Sequence, residues 1–190
     1  MEFSIIQHIN NIEKHLINFS SEKSKLFASF CLKKIREKYL LPTKFRYCNN
    51  FFNEMEQIFN HLKNVLLERV DLDERLVYET KNKLQSFEWR DDEMFSQEHE
   101  LAYYMEQYCD TLYLCLKVFK GEAAYFSARC AENVVNCIDY ELSMEFGHSI
   151  SSQIFSDPRM IAEIESHRRI LEIFQQYQTV QELLTDHPLL

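Results

Sequence analysis

Residues 101–142 read LAYYMEQYCDTLYLCLKVFKGEAAYFSARCAENVVNCIDYEL, and this stretch decides the fold. Apolar side chains recur in its first half at intervals of three and four residues, which is the period of an amphipathic α-helix. Small and apolar residues from Ala124 to Leu142 keep the same period in the second half. Gly121 stands between the halves, at a position where helices commonly end. The stretch therefore predicts two antiparallel helices that pack closely as a hairpin.

The rest of the chain is predicted to be helical as well, because it holds few residues that bend a backbone sharply. Two glycines and three prolines occur among 190 residues, whereas a β-rich domain of this length needs many at its turns. We predict an all-α fold in which residues 1–190 form a single-domain bundle of about seven helices. The hairpin supplies the central fifth and sixth helices. The same scarcity excludes a glycine-rich phosphate loop, a nucleophile elbow and a dinucleotide-binding fingerprint.

Capping residues and the apolar period predict where the helices begin and end. Ser20 and Ser21 offer hydroxyls to cap the second helix, and Asp71 to Glu74 has the form of a capping box for the fourth. Asp157 followed by Pro158 opens the last helix, and Gly147 ends the sixth. The predicted helices lie near residues 3–18, 22–39, 50–69, 71–86, 96–119, 122–146 and 158–184.

The amino-terminal residues and the cysteines both favour a cytoplasmic protein. The first residues lack a basic region followed by an apolar run, and no stretch of about 18 apolar residues occurs, so we expect neither a signal peptide nor a membrane-spanning helix. In the cytoplasm, cysteines are expected to be reduced and to pack as small apolar residues rather than to form three bridges. The six are Cys31, Cys48, Cys109, Cys115, Cys130 and Cys137.

Charge is unevenly distributed along the chain. The net charge is −9, but residues 1–50 carry nine Lys/Arg against four Asp/Glu, and residues 51–190 carry twelve against twenty-six. Acids are densest between Glu88 and Asp110, a stretch we call the acidic segment. An acidic surface attracts basic proteins and repels nucleic acid and anionic lipid. Its alternative role is to keep the protein soluble.

Catalytic chemistry finds little support in the sequence. Metal-binding bundles repeat Glu-x-x-His pairs on two helices, whereas the candidate pairs here are not doubled. Cysteines on apolar helix stripes are unreactive when buried, and no CxxC motif occurs. We therefore predict no enzyme activity, no catalytic residue, no metal and no cofactor. The candidate metal-binding pairs are Glu145 with His148, Glu163 with His167, and Glu106 with Asp110.

A basic and aromatic run between Lys33 and Tyr47 is the one candidate for nucleic-acid binding. The excess of acids elsewhere opposes approach to a phosphate backbone, so we predict that nucleic acid is not a partner. The same run can pair with acids of a second copy, which leaves a homodimer open.

Three segments resemble the YjaG-like family of bacterial proteins, a family of unknown function. The first is the apolar segment from Phe27 to Cys31, and the second runs from Met105 to Ile138 with Lys120-Gly121-Glu122 at its turn. The third is Asp157-Pro158 followed by Glu163 and by Ile170 to Phe174. The resemblance implies an all-α fold and a link to signalling. It supplies no catalytic residues.

These observations favour a non-catalytic protein that binds another protein, and most specifically an immunity protein that neutralises a basic domain of a bacterial toxin. Charge complementarity speeds such association and sets its specificity. The alternatives are a signalling-associated regulatory protein and a metal-dependent enzyme. Aromatic and charged residues are typical of interfaces. The predicted partner-binding residues are Glu88, Trp89, Asp91, Asp92, Glu93, Phe95, Glu98, Glu100, Tyr103 and Tyr104.

Overall fold

A computed structural model of the chain describes residues 4–41, 49–68, 70–86, 99–147 and 154–187. Within these ranges the chain forms eight α-helices and no strand, which confirms the all-α prediction. None of the helices in these ranges is long and apolar enough to cross a membrane. The helices are α1 (Ile5–Leu16), α2 (Ser21–Ile35), α3 (Asn49–Leu67), α4 (Glu74–Ser86), α5 (His99–Phe119), α6 (Ala123–Phe146), α7 (Pro158–Gln176) and α8 (Val180–Asp186).

The hairpin of α5 and α6 lies at the centre of the bundle, as its sequence predicts. Both helices pack against α2, and α1 lies on α6. Ala128 and Ala131 of α6 are completely buried, and side chains this small let neighbouring helices approach closely. α7 packs against α1 and α6, while α3 and α4 lie beside α2 and α5. The centre of the bundle is therefore a three-helix core of α2, α5 and α6.

Two glycines end the helices of the hairpin because of their backbone conformation. Gly121 has φ +108° and Gly147 has φ +72°, values that L side chains rarely adopt. A Cβ at either position would meet no atom within 4 Å, so space is not the constraint. The Gly121 N–H donates to the Val118 carbonyl at 3.1 Å and closes the last turn of α5. Both predicted stops are confirmed.

The structure divides the last predicted helix in two. α7 ends at Gln176, and α8 begins after Thr179, which forms a capping box with Glu182. A buried lysine from the other end of the chain stabilises the break. Lys23 of α2 donates from Nζ to the carbonyls of Phe174 at 2.7 Å and Tyr177 at 2.6 Å. Because these carbonyls lie at the end of α7, the lysine both satisfies them and complements the helix dipole.

The caps predicted for the second and seventh helices are confirmed. Ser20 accepts from the Lys23 N–H at 3.4 Å, and Asp157 accepts from the Arg159 N–H at 2.8 Å. The fourth helix begins two residues later than its predicted capping box, because Asp73 rather than Asp71 caps it.

The described cysteines are buried, as predicted, and no disulfide joins two of them. Burial raises the pKa of the Cys31, Cys130 and Cys137 thiols well above the ordinary value. A thiol that cannot ionise is a poor nucleophile, so these side chains act as packing residues. The described set is Cys31, Cys109, Cys115, Cys130 and Cys137, and Cys48 lies outside the described residues.

We expect Lys23→Met to lower the free energy of unfolding by about 2 kcal/mol, because two carbonyls lose a charged donor in a buried setting. The control is Lys25→Met, which removes the same charge two positions along α2 and should cost clearly less. Urea denaturation of both variants measures the difference. Equal losses would show that the bonds to Phe174 and Tyr177 do not stabilise the junction of α7 and α8.

Candidate functional site

Most of the predicted partner-binding residues lie outside the described part of the chain. Glu100 is in the first turn of α5, although its side chain is not described. Tyr103 and Tyr104, also on α5, are described and half-buried. The predicted residues outside the described ranges are Glu88, Trp89, Asp91, Asp92, Glu93, Phe95 and Glu98.

Tyr103 and Tyr104 join α5 to neighbouring segments. The Tyr104 ring stacks on Tyr39 with centroids 4.4 Å apart, and Tyr39 lies in a π-helical turn, Arg36–Leu40, that continues α2. The Tyr103 ring stacks on Tyr140 of α6 at 4.1 Å. Burial is the main cause that raises the pKa of Tyr103 to about 12, so its hydroxyl stays protonated. Both rings thus contribute packing within the bundle while keeping part of their surface in water.

One turn further along α5, Glu106 and Asp110 lie on successive turns and are exposed to solvent. Asp110 accepts from the Asn133 side-chain amide of α6 at 2.8 Å, which fixes one carboxylate against the hairpin. No described Lys or Arg forms an ion pair with Glu106 or Asp110. Both acids border a groove of about 440 Å³, and we call this surface the acidic face. The groove is lined by Leu84, Glu106, Gln107, Cys109, Asp110, Tyr113, Asn133 and Asn136.

The basic run of α2 behaves oppositely, because its cations are paired within the molecule. Lys34 Nζ lies 2.5 Å from Glu163 Oε1 of α7, and Lys38 Nζ lies 3.1 Å from Glu141 Oε2 of α6. Arg36 donates through two nitrogens to Glu56 of α3 at 2.6 and 2.5 Å. Three described cations of the candidate nucleic-acid surface therefore pair with neighbouring helices, whereas Lys33 lies 4.0 Å from Glu37 of its own segment.

A second polar cluster is buried where α1 meets α7. His167 is completely buried, with Nδ1 3.2 Å from His8 Nε2 and Nε2 3.1 Å from Glu163 Oε1. The contact with Glu163 is short but poorly aligned for a hydrogen bond. Spacing in the sequence pairs Glu163 with His167 but misses His8. That residue lies 159 positions away on the apolar stripe of α1, where no local pattern marks it.

The charges of this Glu163–His167–His8 row are set by its surroundings. Burial, followed by the neighbouring His167, lowers the pKa of His8 to about 4, so His8 is neutral at pH 7. Burial opposes ionisation of Glu163, but His167 and Lys34 outweigh it and lower the pKa of Glu163 to about 2. The row thus holds one carboxylate beside two imidazoles whose facing nitrogens lie 3.2 Å apart. Among the described residues, no group of three His, Cys, Asp or Glu side chains is placed to hold a metal.

Acid should destabilise the protein through His8. Its folded pKa of about 4 lies below the unfolded value of about 6.5, so the folded state binds fewer protons between these values. The contribution of His8 to the free energy of unfolding is therefore fully present above pH 6.5. It is lost as pH falls toward 4, by up to about 3 kcal/mol.

Urea denaturation of wild type and His8→Gln between pH 7.5 and 4.5 measures this loss, and the variant should lose less stability than wild type. Ile9→Val, a destabilising but non-titrating change in the same helix, should follow the wild-type slope at a lower level. Parallel curves for His8→Gln and wild type would contradict the assignment.

Comparisons with protein families, with curated proteins and with solved structures found no match to this chain. The resemblance to the YjaG-like family therefore stays a prediction from the sequence.

Proposed function

We propose that this chain is a non-catalytic protein-binding module that recognises a basic partner. The observation that carries the proposal is that the basic run forms ion pairs within the molecule, whereas two acids of α5 do not pair with a described cation. Cations of α2 and its π-helical turn pair with Glu163, Glu56 and Glu141, whereas Glu106 and Asp110 form no ion pair with a described cation. The basic run is thus paired within the bundle, and these two acids are presented to solvent.

The acidic face suits a partner that carries Lys or Arg beside apolar surface. Its two carboxylates lie one helical turn apart, and the groove between α4, α5 and α6 adds the Tyr113 ring and amide groups. Cation-rich proteins meet such a surface at rates raised by long-range attraction. The acidic segment continues along the chain toward Glu88, which extends the same charge beyond the start of α5.

The most specific form of this proposal is an immunity protein that neutralises a bacterial toxin. A toxin that cleaves nucleic acid has a basic active site, because it must hold phosphates. Carboxylates on a rigid helix can form ion pairs with the Lys and Arg side chains that would otherwise bind those phosphates. Such a protein needs a stable scaffold and a charged surface, and both are features of this bundle.

Partner capture from the native host tests the proposal first. Tagged protein should retain one stoichiometric basic protein at low salt and release it at high salt, because screening weakens exposed charge pairs. Inhibition of that partner's own activity by the purified chain would support the immunity form. Retention that does not depend on salt, or a partner without excess Lys and Arg, would contradict the acidic face as the interface.

Charge reversal then locates the interface. Glu106→Lys with Asp110→Lys should slow association by at least about tenfold at low salt. Asp91, Asp92 and Glu93, replaced together by lysine, should do the same if the acidic segment takes part. The control changes net charge by the same amount as the first pair, through Glu68→Lys just after α3 and Glu165→Lys on α7. Equal slowing in control and test variants would attribute the effect to net charge and overturn the site.

A further inference from the structure

We propose that the groove between α1 and α7 binds a small oxyanion, such as a phosphate or carboxylate group, and that binding adds a proton to the His8–His167 pair. The inference concerns a surface that takes no part in the acidic face. It rests on three features of the described residues, which are the groove itself, the cations at its rim and the buried row behind its floor.

The groove is large, and most of the residues that line it are polar or charged. Its volume is about 710 Å³, enough for a small metabolite. Two cations stand at its rim, Lys14 of α1 and Arg168 of α7. Arg168 donates from Nε to Glu172 at 3.0 Å, and no described residue accepts from its two terminal nitrogens. The lining residues are Gln7, His8, Asn10, Asn11, Ile12, Lys14, His15, Ile164, Arg168, Leu171, Glu172 and Gln175.

His8 forms part of the floor of this groove and connects it to the interior. Its side chain is more than nine-tenths buried, since the residue is 8% exposed, and its Nε2 lies 3.2 Å from His167 Nδ1. His167 reaches Glu163 on its other side at 3.1 Å. A carboxylate that is 12% exposed and two buried imidazoles cost desolvation energy that apolar side chains of similar volume would not. Perturbed titratable groups at a cleft mark it as a candidate binding site.

The row behind the floor explains why an oxyanion would bring a proton with it. His8 is neutral at pH 7, because burial and His167 both disfavour its charged form. An oxyanion beside the imidazole favours that form, and the Glu163 carboxylate stabilises the positive charge from the far side of His167. Lys34 of α2 opposes protonation, as do Lys14 and Arg168, whereas Glu172 favours it. His15, which shares the groove, donates from Nδ1 to the Asn11 carbonyl at 2.8 Å.

Sulfate is a suitable probe because its charge does not change between pH 5.5 and 8.0. Any proton taken up on sulfate binding is therefore taken up by the protein and not by the ligand. We expect calorimetric titration of the full chain, with chloride at equal ionic strength as the reference, to show sulfate binding at least about tenfold tighter at pH 5.5 than at pH 8.0. Titrations in two buffers of different ionisation enthalpy should show net proton uptake. Saturable binding without uptake or pH dependence would overturn the proposal, as would no binding at pH 5.5.

Variants distinguish the groove from general attraction of anions. Lys14→Gln with Arg168→Gln should weaken sulfate binding by about tenfold at both pH values. The control is Lys25→Gln with Arg169→Gln, which removes one cation from α2 and one from α7. Neither residue lines the groove, so this variant should bind sulfate as wild type does. His8→Gln should abolish proton uptake. Equal weakening in control and test variants would show that the groove is not the site, whether or not the acidic face binds a protein.

Discussion

The close packing of α6 against α2 and α5 is the constraint on which the other helices depend. Small residues make this approach possible, and the Ser127 hydroxyl lies within hydrogen-bond distance of both the Ala123 carbonyl of α6, at 2.6 Å, and the Ser24 carbonyl of α2, at 3.0 Å. Ala128 and Ala131 continue the contact surface without exposure to solvent. Because interiors are close-packed, a larger side chain at these positions would push apart the helices that support α1 and α7. The polar sites at the surface are therefore held by an apolar centre.

Ion pairs arrange the outer helices around that centre. The cations of α2 and its π-helical turn reach carboxylates on α3, α6 and α7, so one basic stretch contacts three partners. Partly buried pairs of this kind contribute geometry more than net stability. Their consequence is electrostatic as well, since they neutralise the basic part of the sequence and leave acids of α5 facing water. Packing and surface charge are thus two results of the same helix arrangement.

Local sequence was sufficient to predict the helical class, the central hairpin, the caps at Ser20 and Asp157 and the stops at Gly121 and Gly147. Each depends on residues within one turn of the position concerned. The break after Gln176 was beyond such reasoning, because it involves Lys23, 154 positions from Tyr177. The His8–His167 contact escaped for the same reason. For the acidic face, the sequence predicted an excess of acids but not which of them remain unpaired. That depends on which helices become neighbours, as the pairing of the α2 cations also does.

The contact between Lys23 and the end of α7 also bears on how the chain is made. The lysine leaves the ribosome well before the carbonyls that bind it, because 151 and 154 residues separate it from Phe174 and Tyr177. Until α7 has been synthesised, α2 carries Lys23 without its carbonyl partners. The face of α1 around His8 is likewise not yet packed against α7. Contacts of such long separation form late. The junction of α7 and α8 is therefore fixed only after the chain has emerged through Tyr177, and the face of α2 around Lys23 stays uncovered until then.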